Sequence, residues 1–239
     1  MDYLSSHSRR LISVSKACGE AWSERGVEKR KLSVVYDGVD TDRFSGELTD
    51  SGSRDPLSLV FLGGYSKAKG LSDVIEAVGI LHDKGLDEIA VDVFGSGSRM
   101  DVARAKARVS ELGIIDRFSF HGMVEDVPKI LPSYDVGLVC SKSEAFGRVV
   151  VECWASAVMV VGADRGSLPE LLDSGRYGLL YEKEIGPSAL ADCLQRIICD
   201  RELLKQYQLR GLDRAKEFTT KNNVAGIMRV YREVLESRP

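Results

Sequence analysis

Two short, wholly apolar runs, VGLVC at 136–140 and VMVVGA at 158–163, flank the stretch SKSEAFGRVVVECWAS. Apolar runs of that length, unbroken by polar residues, fit strands buried on both faces, the pattern of a parallel sheet covered by helices. Parallel neighbours need a crossover, and the intervening residues provide one loop and one helix. Gly147 marks the entry to that helix, so the spacing predicts strand, loop, helix, strand. Glu144 then falls on the loop at the carboxyl end of a strand, and Glu152, with seven residues between the two, lies one to two turns into the helix. Parallel α/β sheets bind ligands in the crevice at that end. The free backbone N–H groups of Phe146, Gly147, Arg148 and Val149 at the helix start suit a phosphate, and the two carboxylates suit sugar hydroxyls.

The chain around this stretch alternates in the same way. Strands are expected at 57–64, 88–98, 117–124 and 179–184. Helices are expected at 70–85, 99–112, over VPKILPSY, and at 187–200, 201–218 and 222–236. Val74, Ile75, Val78 and Leu81 share one helix face. This alternation predicts an α/β, Rossmann-like parallel sheet flanked by helices over 57–239. Upstream, 9–15 reads as a strand, 16–27 as a helix and 31–44 as a strand and turn. The polar stretch 46–56 reads as a linker.

At Ser141, Glu144, Phe146, Gly147, Glu152, Gly166, Pro169, Glu170 and Gly178 the sequence resembles the retaining, family 4 (group 1) glycosyltransferases of GT-B fold, with their E-x7-E signature. The resemblance runs over residues 9–236 and extends to Gly38, Val39, Asp40 and Phe44. It implies that 57–239 is the C-terminal, nucleotide-sugar-binding half of a GT-B fold, and that 1–45 is the end of an acceptor-side domain with the interdomain segment. The implied reaction moves a sugar from a UDP-, GDP- or ADP-sugar to an acceptor sugar or lipid-linked sugar with retention, without a metal, in polysaccharide, lipopolysaccharide or glycolipid synthesis. The acceptor would arrive through an N-terminal domain that this chain lacks, so full activity is not expected of the chain alone. In the implied site Glu144 holds the donor sugar and Glu152 the ribose. Lys69 joins the helix start against the diphosphate, and Met123 and Val124 pack against the base. Gly63 and Gly64 complete the set, with one departure: the family carries an Arg where this chain has Gly64. Lys67 or Arg148 is available to replace that charge. Ala145, Ala157, Met159 and Ser167 depart from the family's Gly, Gly, Pro and Gly. The two alanines are strained only where the backbone requires positive φ, and Ser167 could alter which sugar fits.

Other classes fit less well. A net charge of −3 recommends no nucleic acid. Five scattered cysteines read as reduced, buried thiols of a cytoplasmic protein, one that could sit peripherally at a membrane within a full enzyme. MDYLSSHSRRLISVS lacks the apolar core of a secretory signal, and no run is long enough to span a bilayer. Asp40-Thr41-Asp42 spells a metal-binding D-x-D of a different glycosyltransferase fold, but its surroundings match the linker turn. Gly95-Ser96-Gly97 lacks the third glycine of a dinucleotide fingerprint, so it reads as a tight turn, and His121 reads as a structural residue at a strand end. Two alternatives stay open: an inactive nucleotide-sugar binding module, and a GT-B-fold nucleotide-sugar epimerase.

Overall fold

The computed structural model describes residues 6–44 and 55–236. Six parallel strands form the main sheet: β3 (Leu57–Leu62), β4 (Ile89–Phe94), β5 (Phe118–Phe120), β6 (Val136–Val139), β7 (Met159–Ala163) and β8 (Leu179–Tyr181). A separate two-stranded parallel sheet pairs β1 (Leu11–Ser13) with β2 (Leu32–Val34) around α1 (Lys16–Glu24). The remaining helices are α2 (Leu71–Asp83), α3 (Arg99–Glu111), α4 (Val127–Ile130), α5 (Arg148–Ala155), α6 (Leu168–Leu171), α7 (Pro187–Cys199), α8 (Arg201–Ala215) and α9 (Thr220–Glu236).

Strand order in the main sheet is β5-β4-β3-β6-β7-β8. The chain therefore winds outward from β3 in one direction, returns to β6 beside it, and winds outward in the other. Between the carboxyl ends of β3 and β6 lies the topological switch point, where helices leave on opposite sides and a crevice must open. Every residue of β6 and β7 is buried, as their unbroken apolar runs demanded. Val74, Ile75, Val78 and Leu81 of α2 are buried, as their spacing predicted.

The short elements end earlier than the sequence pattern suggested. β8 covers Leu179–Tyr181, because Lys183 turns back from the sheet and donates to Asp73 Oδ2 at 2.6 Å and to the Cys140 carbonyl at 2.7 Å. Asp40 to Asp42 enter a short 3₁₀ turn, Thr41–Arg43. Most of the expected linker, 46–54, lies outside the described residues.

Residues 6–44 are fastened to the main body. The Glu170 carboxylate accepts from the N–H of Lys16 (3.0 Å) and of Ala17 (3.2 Å) at the start of α1, and from the Tyr36 hydroxyl at 2.6 Å. Val39 N–H donates to the Phe218 carbonyl at 2.9 Å, and Thr220 N–H to the Val39 carbonyl at 3.1 Å. Tyr36, Phe146 and Phe218 form an aromatic cluster beneath these bonds, with ring centroids 5.4–6.2 Å apart.

Candidate functional site

At the switch point the loop after β3 and the loop after β6 enclose a cavity of about 340 Å³. Its wall includes Gly63 and Lys69 from the first loop, and Ser141, Glu144, Phe146 and Gly147 from the second. Arg148 and Val149, the first residues of α5, complete that side. A second cavity of about 280 Å³ adjoins it, sharing Leu62, Gly63 and Val149, and carries Gly64, Met123, Val124 and Glu152. The residues given a place in the implied donor site each line one of these two adjoining hollows. The carboxylates divide between them, Glu144 in the first and Glu152 in the second.

Glu144 is held before any ligand arrives. Its Oε1 accepts from Lys69 Nζ at 2.8 Å and from Ser141 Oγ at 2.6 Å. The glutamate side chain is 17% exposed and the lysine 41%, so the pair lies at a wall reachable from solvent. Neighbouring glycines set this geometry. A Cβ at Gly70 would stand 2.0 Å from the Cys140 carbonyl oxygen, and one at Gly166 would stand 2.3 Å from that of Glu144. Both have positive φ, so only glycine lets the loops close this tightly on each other.

Glu152 is 16% exposed. Burial is the larger influence on its carboxyl, pushing the pKa above the ordinary carboxylate range, and Arg148 opposes it. The Arg148 guanidinium is 3.8 Å from Glu152 Oε1 and 60% exposed, a loose contact one helical turn away. No side chain caps α5, whose N-cap is Gly147 at φ +88°, and no acidic residue occupies its first turn. The Arg148 charge adds to the positive end of the helix dipole, so the uncapped start of α5 offers both to an anion.

Of the two residues available to replace the absent arginine, Arg148 lines the first cavity and Lys67 lines neither. Gly64 itself has φ +72°, and a Cβ there would stand 2.5 Å from the Ser96 carbonyl oxygen. Gly95 returns the constraint, its own Cβ position falling 2.4 Å from Gly64 N. The Gly95-Ser96-Gly97 motif is thereby a close crossing of two loops. Ser167 is fully buried and donates through Oγ to the Phe146 carbonyl at 2.8 Å, bracing the signature loop from behind. His121 Nε2 lies 2.8 Å from Asp92 Oδ1, with its ring stacked 4.5 Å from that of Phe94.

Several residues escaped the sequence reading. Ser141 matched the motif but received no role, and it holds Glu144. Glu170, one of the residues that carry the resemblance, ties α1 to α6. Asp37 lines the first cavity from the upstream segment. Among the described residues there is no group of three or more His, Cys, Asp or Glu suited to a metal.

The model of the family described as Glycosyl transferases group 1 matches residues 56–200. An uncharacterized glycosyltransferase of Methanocaldococcus jannaschii is 27% identical over 235 residues, covering 97% of this chain and 62% of that protein. A D-inositol 3-phosphate glycosyltransferase of Geodermatophilus obscurus is 30% identical over 225 residues, covering 88% of this chain and 49% of its own. This chain thus spans about half to three fifths of the length of such relatives. Among solved structures, Anabaena HepE in complex with UDP aligns with a TM-score of 0.86 at 22% identity, over 99% of this chain and 66% of that one. The C-terminal domain of a glycosyl transferase group 1 family protein, LpcC, from Francisella tularensis aligns at 0.67 and 23% identity, over 77% of this chain and 100% of that one.

Proposed function

Because the chain belongs to the Glycosyl transferases group 1 family, and its sheet is the C-terminal half of a GT-B fold, we propose that it binds a nucleoside-diphosphate sugar and presents the sugar for transfer with retention. The observation that carries this reading is the pair of adjoining cavities at the switch point, with Glu144 and Lys69 in one and Glu152 in the other. The second cavity takes the nucleoside, its base against Met123 and Val124 and its ribose hydroxyls on Glu152. A charged acceptor binds hydroxyls about twice as strongly as a neutral one. The diphosphate sits at the start of α5, where the helix dipole, Lys69 and Arg148 offset the negative charge that grows as the sugar departs. Glu144, already oriented by Ser141 and Lys69, holds the sugar in place for attack. On this reading the chain's own groups supply the charge stabilisation and no metal is required.

These residues correspond to about half to three fifths of such relatives, and on this reading they supply the donor side, with little transfer expected of them alone. Residues 1–45 are the end of the acceptor-side domain, 46–56 the linker and 57–239 the donor domain. The acceptor is a sugar or lipid-linked sugar of polysaccharide, lipopolysaccharide or glycolipid synthesis, handled in the cytoplasm at the membrane surface. Among the described residues no helix is long and apolar enough to cross a membrane. A second reading, a binding module without catalysis, draws support from Gly64, where the turn excludes the missing cation.

Calorimetric titration with UDP, GDP and ADP tests the proposal. One nucleotide should bind, and both Glu152→Ala and Lys69→Ala should weaken it by roughly tenfold or more. A folded chain that binds none of the three would overturn the donor-site reading.

A further inference from the structure

Asp37 comes from the segment after β2, far in sequence from the loops that form the rest of the first cavity, yet it lines that cavity with Lys69, Glu144 and Arg148. Its Oδ1 accepts from the Gly38 N–H at 3.0 Å, and the other carboxylate oxygen has no partner among the described residues. The backbone on both sides is pinned. Asn223 Nδ2 donates to the Tyr36 carbonyl at 2.6 Å, and Val39 exchanges hydrogen bonds with Phe218 and Thr220. Between them Gly38 is pressed onto α9, so closely that a Cβ there would stand 2.8 Å from Thr220 Cα. The carboxylate is thereby held at a fixed place in the cavity wall.

The turn does not need the charge. An asparagine oxygen would accept the same bond from Gly38. The charge also works against an anionic ligand, because Glu144 already places one carboxylate in this cavity and a diphosphate brings further negative charge. A carboxylate becomes favourable in that company when its free oxygen accepts from a neutral hydroxyl, an interaction strengthened by the charge. We propose that Asp37 hydrogen-bonds a hydroxyl of the sugar carried by the nucleotide, and so helps to select which sugar is held. This rests on the donor-site reading given above, and it assigns a specificity role to a residue of the upstream segment.

The isosteric variant Asp37→Asn keeps the Gly38 bond and removes the charge, and Asp37→Ser keeps a capping oxygen on a shorter side chain. The titrants are UDP, GDP and ADP, each beside its glucose or mannose conjugate, with melting curves on the same samples. In both variants the conjugate that binds the unaltered chain should weaken by roughly tenfold, while the matching free nucleotide holds its affinity or binds more tightly. Equal affinities for the conjugate in variant and unaltered chain would overturn the role of Asp37 and leave the donor site standing. Equal weakening of nucleotide and conjugate would overturn it too, as would a lowered melting transition with both ligands lost. An unaltered chain that binds neither ligand would sink the donor-site reading itself.

Discussion

Gly64 shows why one departure from the family pattern cannot be read as a simple deletion. Its left-handed backbone and the Ser96 carbonyl 2.5 Å from its Cβ position leave no room for any side chain. Gly64→Arg is therefore expected to lower stability by about 2–4 kcal/mol, from the positive φ and the backbone clash together, without tightening nucleotide binding. A melting curve and one titration decide this, and a stable variant with higher affinity would contradict it. Glu152 makes the opposite trade. Its carboxyl is raised above the 4.5 of an unburied glutamate, chiefly by burial. The folded chain then holds that proton more tightly than the unfolded chain. This favours folding below the ordinary value, and the advantage is lost as pH rises through the folded value. Above that window the buried charge is a net cost. Glu152→Gln is expected to melt higher than the unaltered chain at neutral pH, with the gain vanishing below pH 4.5, while the nucleotide binds roughly tenfold more weakly. A melting-temperature difference that does not change with pH would refute the burial argument.

At the scale of elements, the end of α5 is informative. Ala157 N–H donates to the Trp154 carbonyl at 3.1 Å and Val158 N–H to that of Cys153 at 2.9 Å, the two bonds of a Schellman cap. Such a cap asks for glycine at its left-handed residue, and Ala157 occupies it at φ +58°. Ala145 is absent from the positive-φ residues, so of the two alanine departures only Ala157 is strained. Ala157→Gly is expected to raise stability by up to about 1 kcal/mol, a shift of about 2–4 °C for a chain of this size. A lower melting temperature would mean that buried methyl contacts outweigh the strain. The Glu170 contacts at α1 give a complementary case. Glu170→Ala leaves the Lys16 and Ala17 N–H groups and the Tyr36 hydroxyl without their acceptor, and should cost about 2–3 kcal/mol. Hydrogen exchange should quicken at Lys16 and Ala17 before it does in β6 or β7. These elements differ in how far the sequence revealed them. The buried strands announce themselves because burial on both faces forces an unbroken apolar run, and α2 because its buried residues keep helical spacing. The clasp on α1 leaves no such mark, because Glu170 meets Lys16 across 154 residues of chain.

At the scale of the whole molecule, the alternation of strands and helices indicates a parallel sheet but not the order of its strands. That order depends on which apolar faces meet, as where Leu59 pairs with Val136, and it alone creates the switch point between β3 and β6. The candidate residues, in the loops after β3, β5 and β6 and at the start of α5, were legible because they sit in or beside motifs that resemble the family's, whereas Asp37 was not, because it reaches the cavity from the segment after β2. Nor did the upstream segment's part in the site follow from its reading as the end of another domain. Ser15 Oγ donates to the Ala145 carbonyl at 2.5 Å, Tyr36 packs against Phe146 at 6.2 Å, and Asp37 lines the first cavity. The first two act on the loop that carries Glu144 and leads into α5, and the third faces the cavity which that loop lines. The C-terminal domain from Francisella, whose full length aligns with 77% of this chain, shows the corresponding fold standing as a domain by itself. Residues 55–239 are accordingly expected to fold without 1–44. Without them, Phe146 and Phe218 lose the Tyr36 ring and Glu170 loses three donors. The shortened chain should show the circular dichroism of an α/β domain, melt several degrees lower, and bind nucleotide roughly tenfold more weakly, because the signature loop is no longer buttressed. Unchanged affinity in that chain would mean that the loop holds its shape alone, and that the upstream segment serves only to join the donor domain to what precedes it.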